Sequence, residues 1–414
     1  MIFRGFLALF LAVSAAVAQP AYDILIKGGH VVDPKNNFDA VADVAVSGGK
    51  IARIAANIPR ESARQTIDAT DLYVTPGLID IHAHMWNRPG AGPPGRNLSV
   101  HPDEYSFRTG VTTMVEPGTA GWQDFPDVRA RLVNGSRTRV LVMINILRSG
   151  MGTGKENDPA EMDAEGAARI AKANRDVIVG FKTAHYEPAD WHAVDNVVKA
   201  GNLANLPVMV DFGRVSGDKN IQKLLLEKLR PGDIYTHCYS GLRGELVDGK
   251  VNPAIAAARK RGVFFDLGHG AGSFFWNIAI PLAQQGFWPD SISTDMHHGS
   301  INAGMKDMLN VLSKMLLLGI PFQDLIRMTT SNPAAEIRRP RLGNLDIGAD
   351  ADIAVLKLEQ GQFGFIDSAG ARNDGTRRVV CELTLRAGRV VWDLNGRAAV
   401  PWKSFDYGGK SRSK

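Results

Sequence analysis

The sequence has little cysteine and no strong excess of charge. Cys238 and Cys381 are the two cysteines among 414 residues, so disulfides do not provide the framework of a chain of this size. We expect both thiols to be free and buried. The 48 lysines and arginines exceed the 43 acidic residues by only five and are spread along the chain, apart from a short basic end at 410–414 that is typical of a solvated tail. A nucleic-acid-binding surface is therefore not expected.

Long apolar runs are also absent, except near the N-terminus. There, residues 6–17 follow Arg4 and form a run that is too short for a comfortable membrane span. Ala16-Val17-Ala18 is typical of a signal-peptide cleavage site. We therefore predict a signal peptide over residues 1–18 and a mature protein that is periplasmic or secreted, with no membrane attachment. The remaining composition is that of a globular protein with a large core.

Short β-strands separated by glycine pairs are predicted at both ends of the chain. Residues 24–32 and 44–54 each contain two apolar runs around a Gly-Gly pair, which is typical of β-hairpins. Similar apolar runs return between residues 353 and 392. Because chain termini often lie close together, we predict that residues 19–72 and 335–414 form one small β-sandwich domain.

Between these ends, residues 73–334 alternate between short apolar runs and helical segments. The eight candidate strands are 78–82, 112–116, 140–146, 177–182, 208–212, 234–237, 263–267 and 292–295. Eight strands with helices between most of them indicate an α/β fold, a (β/α)8 TIM barrel. A doubly wound open sheet is the alternative. Such a sheet usually carries a glycine-rich phosphate turn after its first strand, which this sequence lacks.

The first candidate strand of this region ends in two histidines, His82 and His84. Side chains two residues apart point to the same side of a strand, and neutral imidazole is the commonest metal ligand. Two ordinary histidines at a strand edge would show the same spacing. The pair by itself therefore does not establish a metal site.

Further metal-competent or titratable side chains follow the later strands. In a TIM barrel, catalytic residues lie at the C-terminal ends of the strands. The full set at these ends is His82, His84, Lys182, Asp211, His237, His269 and Asp295. Each has an ordinary explanation, such as a surface lysine or a helix cap, but so many on one predicted face of the barrel favour a metal site.

Several motifs also carry a family resemblance. Pro76-Gly-Leu-Ile-Asp-Ile-His-Ala-His84, Thr236-His-Cys238, Ser293-Thr-Asp295 and Gly343-Asn-Leu-Asp-Ile-Gly-Ala-Asp-Ala-Asp-Ile353 resemble the amidohydrolase superfamily of metal-dependent hydrolases. Gly110-Val-Thr-Thr113, Val179-Gly-Phe-Lys182 and Asp266-Leu-Gly-His-Gly270 are similar to its dihydroorotase-like amidohydrolase/deacetylase branch. The likeness runs from about residue 22 to about residue 392 and says little about the substrate.

The resemblance implies a centre of two divalent metal ions, for which zinc is the first expectation because it accepts mixed nitrogen and oxygen ligands. His82, His84 and Asp295 would bind the first ion, and Asp295 would also be the general base. Lys182, carboxylated on its amine (N6-carboxylation), would bridge the two ions. His237 would bind the second ion.

The fifth strand departs from the family's pattern. The family usually has a histidine there as a ligand of the second ion, whereas this chain has Asp211. Aspartate binds zinc at normal distance, but an anion in place of a neutral ligand would lower the net charge of the centre and weaken it as a Lewis acid. His269 or His185 could instead supply the missing nitrogen, or the second ion could bind loosely.

The implied activity is hydrolysis of an amide or acyl-ester bond, of deacetylase or amidohydrolase type, by metal-bound hydroxide with Asp295 as the base. His269 could orient the carbonyl of a small-molecule substrate. Arg148 and His297 are further candidate substrate contacts, each with a surface position as the alternative. The loop 85–97, rich in glycine and proline, is either a lid or a surface excursion.

Other functions remain open at this point. A lactonase, a phosphoesterase or a cyclic-amide hydrolase could use the same metal centre. Asp211 also motivates a non-enzymatic alternative, a ligand-binding protein with a degenerate metal site. The acyl and leaving groups, the native metal and the oligomeric state, a homo-oligomer included, are not determined by the sequence.

Overall fold

The computed structural model describes residues 20–88, 99–213 and 215–408. The predicted signal peptide, residues 89–97 of the predicted loop and the basic end at 410–414 lie outside the described residues. Within the described ranges, none of the helices combines the length and the apolar character that a membrane span requires.

The elements follow one another as short strands and helices. The strands are β1 (Tyr22–Asp33), β2 (Phe38–Ser47), β3 (Lys50–Ala55), β4 (Ala63–Asp68), β5 (Tyr73–Pro76), β6 (Leu78–Asp80), β7 (Val111–Glu116), β8 (Arg139–Asn145), β9 (Ile178–Thr183), β10 (Val208–Val210), β11 (Ile234–Tyr235), β12 (Leu246–Val247), β13 (Lys250–Val251), β14 (Phe264–Phe265), β15 (Ile353–Ile366), β16 (Arg372–Arg386) and β17 (Arg389–Asp393). The α-helices are α1 (Pro102–Tyr105), α2 (Phe125–Asp127), α3 (Ala164–Ala173), α4 (His192–Ala204), α5 (Ile221–Lys223), α6 (Pro253–Lys260), α7 (Trp276–Gln284), α8 (Met308–Leu317), α9 (Phe322–Thr329) and α10 (Ser331–Glu336). Segments of 3₁₀-helix are Pro34–Asn36, Arg60–Ser62, Phe107–Thr109 and Pro159–Glu161, and segments of π-helix are Val128–Val133 and Leu224–Lys228.

Strands from both ends of the chain form one mixed sheet. Its order is β17-β16-β15-β5-β1-β2-β3, and β4 pairs with the first half of β1. The junction between the two ends is the antiparallel pair β5–β15, where Val74 lies opposite Val355. Ile26 and Val44 of the N-terminal part pack in one buried cluster with Ile353 of the C-terminal part. The two ends are therefore held together by a shared apolar core as well as by the strand pairing.

Seven strands between these ends form a parallel sheet in the order β14-β11-β10-β9-β8-β7-β6. Along β8, Val142 and Ile144 belong to the large apolar cluster that includes helical side chains, whereas Leu141 and Met143 belong to a separate buried cluster. Successive side chains of a strand point to opposite faces, so both faces of β8 are buried. Burial on both faces explains why these strands consist of continuous apolar runs in the sequence.

The eighth predicted strand, residues 292–295, is not a regular strand in the structure. Single parallel bridges instead flank it, one between Ser291 and Asp266 and one between Met296 and Ala83. The Met296 N–H donates to the His82 carbonyl at 3.3 Å, and the Met296 carbonyl accepts from the His84 N–H at 2.7 Å. Residues 291–296 thus contact the chain next to both outer strands, β14 and β6, of the parallel sheet.

The two sheets touch where β7 begins. Gly110 has φ +78°, and a Cβ at this position would lie 2.9 Å from the Cβ of Ala354 and 3.6 Å from Sγ of Cys381. A side chain would therefore separate the sheets and would also be strained in this backbone conformation. Cys381 and Cys238 are both free and buried, which confirms the expectation from the sequence.

Candidate metal centre

Three of the predicted ligands come together at the C-terminal end of the parallel sheet. His82, His84 and Asp295 each offer a ligand atom, and these atoms all lie within 4.8 Å of one another. The Asp295 Oδ1 atom is 3.4 Å from His82 Nε2 and 3.0 Å from His84 Nε2. The backbone pairing of Met296 with the two histidine peptides brings Asp295 to this position. Asp295 has φ +47°, a conformation that is costly for a residue with a Cβ and is often found at functional sites.

The buried carboxylate of Asp80, at the end of β6, binds the residue before Asp295. Asp80 accepts hydrogen bonds from the Thr294 hydroxyl at 2.6 Å and from the Thr294 N–H at 3.1 Å. Burial raises the pKa of Asp80 to about 7, although the hydrogen bonds from Thr294 act in the opposite direction. The contact connects the first strand of the parallel sheet directly to the residue before Asp295.

The Nδ1 atoms of His82 and His84 each contact a threonine hydroxyl. His82 Nδ1 lies 3.1 Å from the Thr236 hydroxyl, which donates to Asp266 Oδ2 at 2.7 Å. His84 Nδ1 lies 2.6 Å from the Thr119 hydroxyl. Metal-ligating histidines commonly use their second nitrogen in this way, which sets the tautomer and the orientation of the ring. Both Nε2 atoms are therefore directed toward Asp295.

Glu116, which lies outside the predicted site residues, organises the two loops beside this cluster. One carboxylate oxygen accepts from the N–H groups of Met85 and Trp86 at 2.8 and 2.9 Å, and the other accepts from the Thr119 N–H at 2.6 Å. Thr119 in turn contacts His84. The sequence signal that could have indicated Glu116 is its position as an acidic residue at the end of the apolar run of β7. Asp266, which accepts the hydrogen bond of Thr236, follows β14 in the same way.

Lys182 is fully buried beside the histidine cluster. Its Nζ atom lies 3.1 Å from His82 Nε2 and 3.5 Å from Met209 Sδ. Among the described residues, no carboxylate lies within 4.0 Å of this nitrogen as an ion-pair partner. Burial lowers the pKa of Lys182, although nearby carboxylates, Asp211 first, act in the opposite direction. The amine is therefore biased toward its neutral, nucleophilic form.

The charges around the cluster favour metal binding by His82 and Asp295. Burial, and then the charge of Lys182, lower the pKa of His82 to about 3, so that the ring is neutral at physiological pH. Burial by itself raises the pKa of Asp295, but the adjacent His82 and His84 rings hold it well below its usual range. A neutral imidazole and an ionised carboxylate are the forms that bind a divalent cation.

His237 and Asp211 lie beside this cluster, and the centres of the His237 and His82 rings are 5.2 Å apart. His237 Nε2 is 3.6 Å from Asp211 Oδ2, and His237 Nδ1 is 2.6 Å from the Gly268 carbonyl. His185 Nε2 is 3.4 Å from the same Asp211 oxygen. Burial is the largest single influence on the pKa of His237 and lowers it, but the charge of Asp211, the contact with Asp211 and the charge of Asp295 together raise it by more, so that the net shift is upward. The predicted ligands of the second ion thus lie next to one another, with His185 beside them.

Two connected cavities expose these groups. The inner cavity, about 130 Å³, is lined by His82, His84, Met151, Lys182, Ala184, His185, Asp211, His237, Asp295 and His297. The outer cavity, about 580 Å³, shares His185, Asp211, His237, Asp295 and His297 with it and widens toward residues 271–273. His297, a predicted substrate contact, therefore lines both cavities. The metal-competent groups form the floor, which a small molecule reaches through the outer cavity.

The structure does not place two predicted substrate contacts on these walls. His269 is fully buried, and Lys314 Nζ lies 2.8 Å from its Nε2 while its Nδ1 lies 2.9 Å from the Gly270 carbonyl. The Arg148 guanidinium lies over the Trp122 ring, 5.6 Å from the ring centre. Neither residue lines the inner or the outer cavity. Since both ring nitrogens of His269 are engaged, this residue is also not placed to supply the missing nitrogen of a second metal site.

The Lys314–His269 contact gives a test of this geometry. Burial, and then the charge of Lys306, lower the pKa of Lys314 to about 7, although Asp367 and Asp307 act in the opposite direction. Above pH 7 the unfolded chain then binds one more proton at this lysine than the folded chain does, so the wild type gains stability as pH rises.

We expect Lys314→Met to lose this gain. The free energy of unfolding of the variant relative to the wild type should fall by about 1.4 kcal/mol per pH unit between pH 7 and pH 9. Urea unfolding of both proteins at several pH values measures this difference. Parallel pH profiles would show that Lys314 titrates normally in the folded protein.

Several known proteins of one superfamily are similar to this chain. Residues 277–391 match the amidohydrolase family. A deacetylase of Agrobacterium fabrum is 30% identical over 347 residues, which is 81% of this chain and 83% of the relative. The solved structure of an adenine deaminase superposes with a TM-score of 0.80 at 25% identity, covering 90% of this chain and all of that chain. A dihydroorotase structure superposes with a TM-score of 0.76 at 26% identity, covering 89% of this chain and 99% of that one. The chain therefore belongs to the amidohydrolase superfamily, in the branch that its resemblance to deacetylases and dihydroorotases indicated.

Proposed function

We propose that the protein is a metal-dependent hydrolase that cleaves an amide or acyl-ester bond of a small molecule. The observation that carries this proposal is the convergence of His82, His84 and Asp295 within 4.8 Å on the floor of a cavity. The similarity to a deacetylase over most of the chain supports an acyl group on the substrate. We also infer that residues 291–296 complete an eight-stranded barrel, because they hydrogen-bond next to both outer strands of the parallel sheet.

The donor set fits two divalent ions. His82, His84 and Asp295 would hold the first, and His237 and Asp211 would hold the second. Mixed nitrogen and oxygen donors suit zinc. A protonated lysine does not bind a cation, whereas a carbamate formed from the Lys182 amine and CO₂ would be an anionic bridging ligand. Lys182 lines the inner cavity together with both groups of candidate ligands, and its burial and lowered pKa support this modification.

Bound divalent ions would supply an activated water nucleophile at neutral pH and would polarise the substrate carbonyl. In this scheme, Asp295 takes the proton of the attacking water and transfers it to the leaving group. Asp295 is ionised in the folded protein, which is the form that can accept a proton. Asp295 lines both cavities and can thus reach the nucleophile and the leaving group.

The two cavities suit the two parts of such a substrate. The inner cavity, with Met151 and Ala184 in its wall, has room for a small acyl group beside the metal ligands. The larger outer cavity would take the leaving group, for instance an amino acid or a hydroxy acid. His297 lines both cavities and would contact the substrate near the scissile bond.

A substrate panel with metal analysis tests this proposal. We expect the purified protein to contain bound metal and to hydrolyse N-acyl amino acids or acylated hydroxy acids. Removal of the metal with a chelator should abolish the activity, and added zinc should restore it. Activity that persists in metal-free protein would contradict the proposal.

Turnover restricted to lactones, phosphotriesters or cyclic ureides would instead support the alternatives on the same centre. A protein that is inert on the whole panel but gains activity through Asp211→His would be a ligand-binding protein with a degenerate site.

A further inference from the structure

Asp211 has a buried cationic partner that the sequence did not indicate. Arg243 lies in the loop after β11 with only 8% of its surface exposed, and its Nη2 atom donates to Asp211 Oδ1. Its Nη1 atom donates to the Ser240 hydroxyl at 3.3 Å. Burial by itself raises the pKa of Asp211, but the Arg243 guanidinium is the first of the charges that hold it well below its usual range. Asp211 and Arg243 therefore form a buried ion pair at the edge of the candidate metal centre.

The two oxygens of Asp211 have different neighbours. Oδ1 is engaged by Arg243, whereas Oδ2 lies 3.6 Å from His237 Nε2 and 3.4 Å from His185 Nε2. A bond to one carboxylate oxygen fixes the rotation of the whole group. The ion pair thus presents the second oxygen to the position where the second ion would be bound, in the same way that hydrogen bonds from other side chains orient ligating carboxylates in known metal sites.

The guanidinium has its other charged neighbour at a greater distance. Glu245 accepts from the Tyr235 hydroxyl at 2.9 Å, from the Ser240 hydroxyl at 3.0 Å and from the backbone N–H of Arg243. Within the described part of the chain, Asp211 is the carboxylate that forms an ion pair with the Arg243 guanidinium within 4.0 Å. Arginine stays protonated in proteins, so Asp211 and Arg243 together carry no net charge.

We propose that Asp211 and Arg243 act as one neutral oxygen ligand for the second ion, in place of the histidine that related proteins usually have there. This inference rests on the proposed function, because it concerns the same metal centre. It revises the expectation that Asp211 lowers the net charge of the centre, since the guanidinium restores the charge that a neutral imidazole would leave.

A double-mutant cycle on metal affinity tests the proposal without measuring catalysis. The four proteins are the wild type, Arg243→Met, Asp211→His and the variant with both changes. Each is made metal-free, and the binding of zinc is measured by competition with a chromogenic chelator at one pH. In the wild-type background, we expect Arg243→Met to weaken binding of the second zinc ion by about 10- to 100-fold, because the lost orientation of the ligating oxygen outweighs the gain from an unpaired carboxylate charge. The affinity for the first ion should not change.

In the Asp211→His background, Arg243→Met should have the opposite effect on the affinity for the second zinc ion. Histidine at position 211 is neutral and leaves Arg243 as an unpaired buried cation beside the second ion. Removal of the guanidinium should then strengthen binding of the second zinc. The variant with both changes contains no unpaired charge and serves as the folding control, since breaking only one side of a buried pair is strongly destabilising. If Arg243→Met alone does not fold, Arg243→Lys replaces it in the wild-type background, because it keeps a buried cation beside Asp211 but lacks the planar guanidinium that fixes the carboxylate.

The outcomes separate this inference from the proposed function. A loss of affinity in both backgrounds would show that Arg243 only packs the loop, and no change in either background would show that it does not act on the metal. Both results overturn the inference. Wild-type protein that binds a single zinc ion and still hydrolyses its substrate would overturn the inference and leave the proposed hydrolysis standing. The reversed sign in a protein that hydrolyses nothing would support the inference and contradict the proposed function.

Discussion

Asp295→Asn is expected to lower kcat by about a hundredfold or more, which is the range that a positioned general base contributes. Asparagine has nearly the same shape as aspartate, so the fold of the segment after Thr294 should persist. Its amide cannot accept the proton of the attacking water. The carboxylate is ionised in the wild type, and its pKa lies well below its usual range beside the His82 and His84 rings; this ionised state is what the substitution removes.

The matched control is Asp307→Asn, a conservative change of the same kind on the same side of the sheet. Asp307 caps α8 by accepting a hydrogen bond from the Asn310 N–H at 2.8 Å, and it does not line either cavity of the centre. Asparagine is about as good an N-cap as aspartate, so kcat should stay close to that of the wild type. Steady-state kinetics and metal content of both variants are compared. An unchanged kcat in Asp295→Asn, with metal still bound, would eliminate Asp295 as the base.

Lys182→Met is expected to lower activity by a similar factor and to remove the response of the enzyme to bicarbonate. A carbamate forms reversibly from a neutral amine and CO₂, and burial already biases Lys182 toward the neutral amine. Metal-free wild type should therefore regain activity with zinc faster and more completely in bicarbonate than in CO₂-free buffer. Methionine fills much of the same space but cannot be carboxylated.

A second buried lysine makes the comparison specific. Lys314 Nζ is engaged by His269 Nε2 at 2.8 Å and by the Gly304 carbonyl at 2.6 Å. We expect Lys314→Met to keep the full bicarbonate response, although its stability changes with pH as described above. Time courses of reactivation for the two variants and the wild type provide the measurement. A bicarbonate response that disappears in Lys314→Met but persists in Lys182→Met would show that Lys314, and not Lys182, carries the carbamate.

Local patterns in the sequence predicted the parts of the fold that depend on nearest neighbours in the chain. The continuous apolar run of β8 required burial on both faces, and the structure buries both. The glycine-paired runs predicted hairpins, and the strands from the two ends share one sheet. The regular strand expected at 292–295 is absent, since this segment pairs with its neighbours only through single bridges at Ser291 and Met296. The composition of the run does not reveal this difference.

The candidate ligands could be named from the sequence because His82 and His84 share a strand end, and because a strand end is where a parallel sheet exposes its chemistry. The partners of these ligands were not readable. Thr119 and Thr236 orient the two rings, and Arg243 neutralises Asp211, through contacts between distant parts of the chain. His269 lies in the loop after β14, as the pattern indicated, yet its ring is directed into the protein toward Lys314. Spacing along the chain determines which residues reach the end of the sheet, whereas the packing of several elements at once determines where each side chain points.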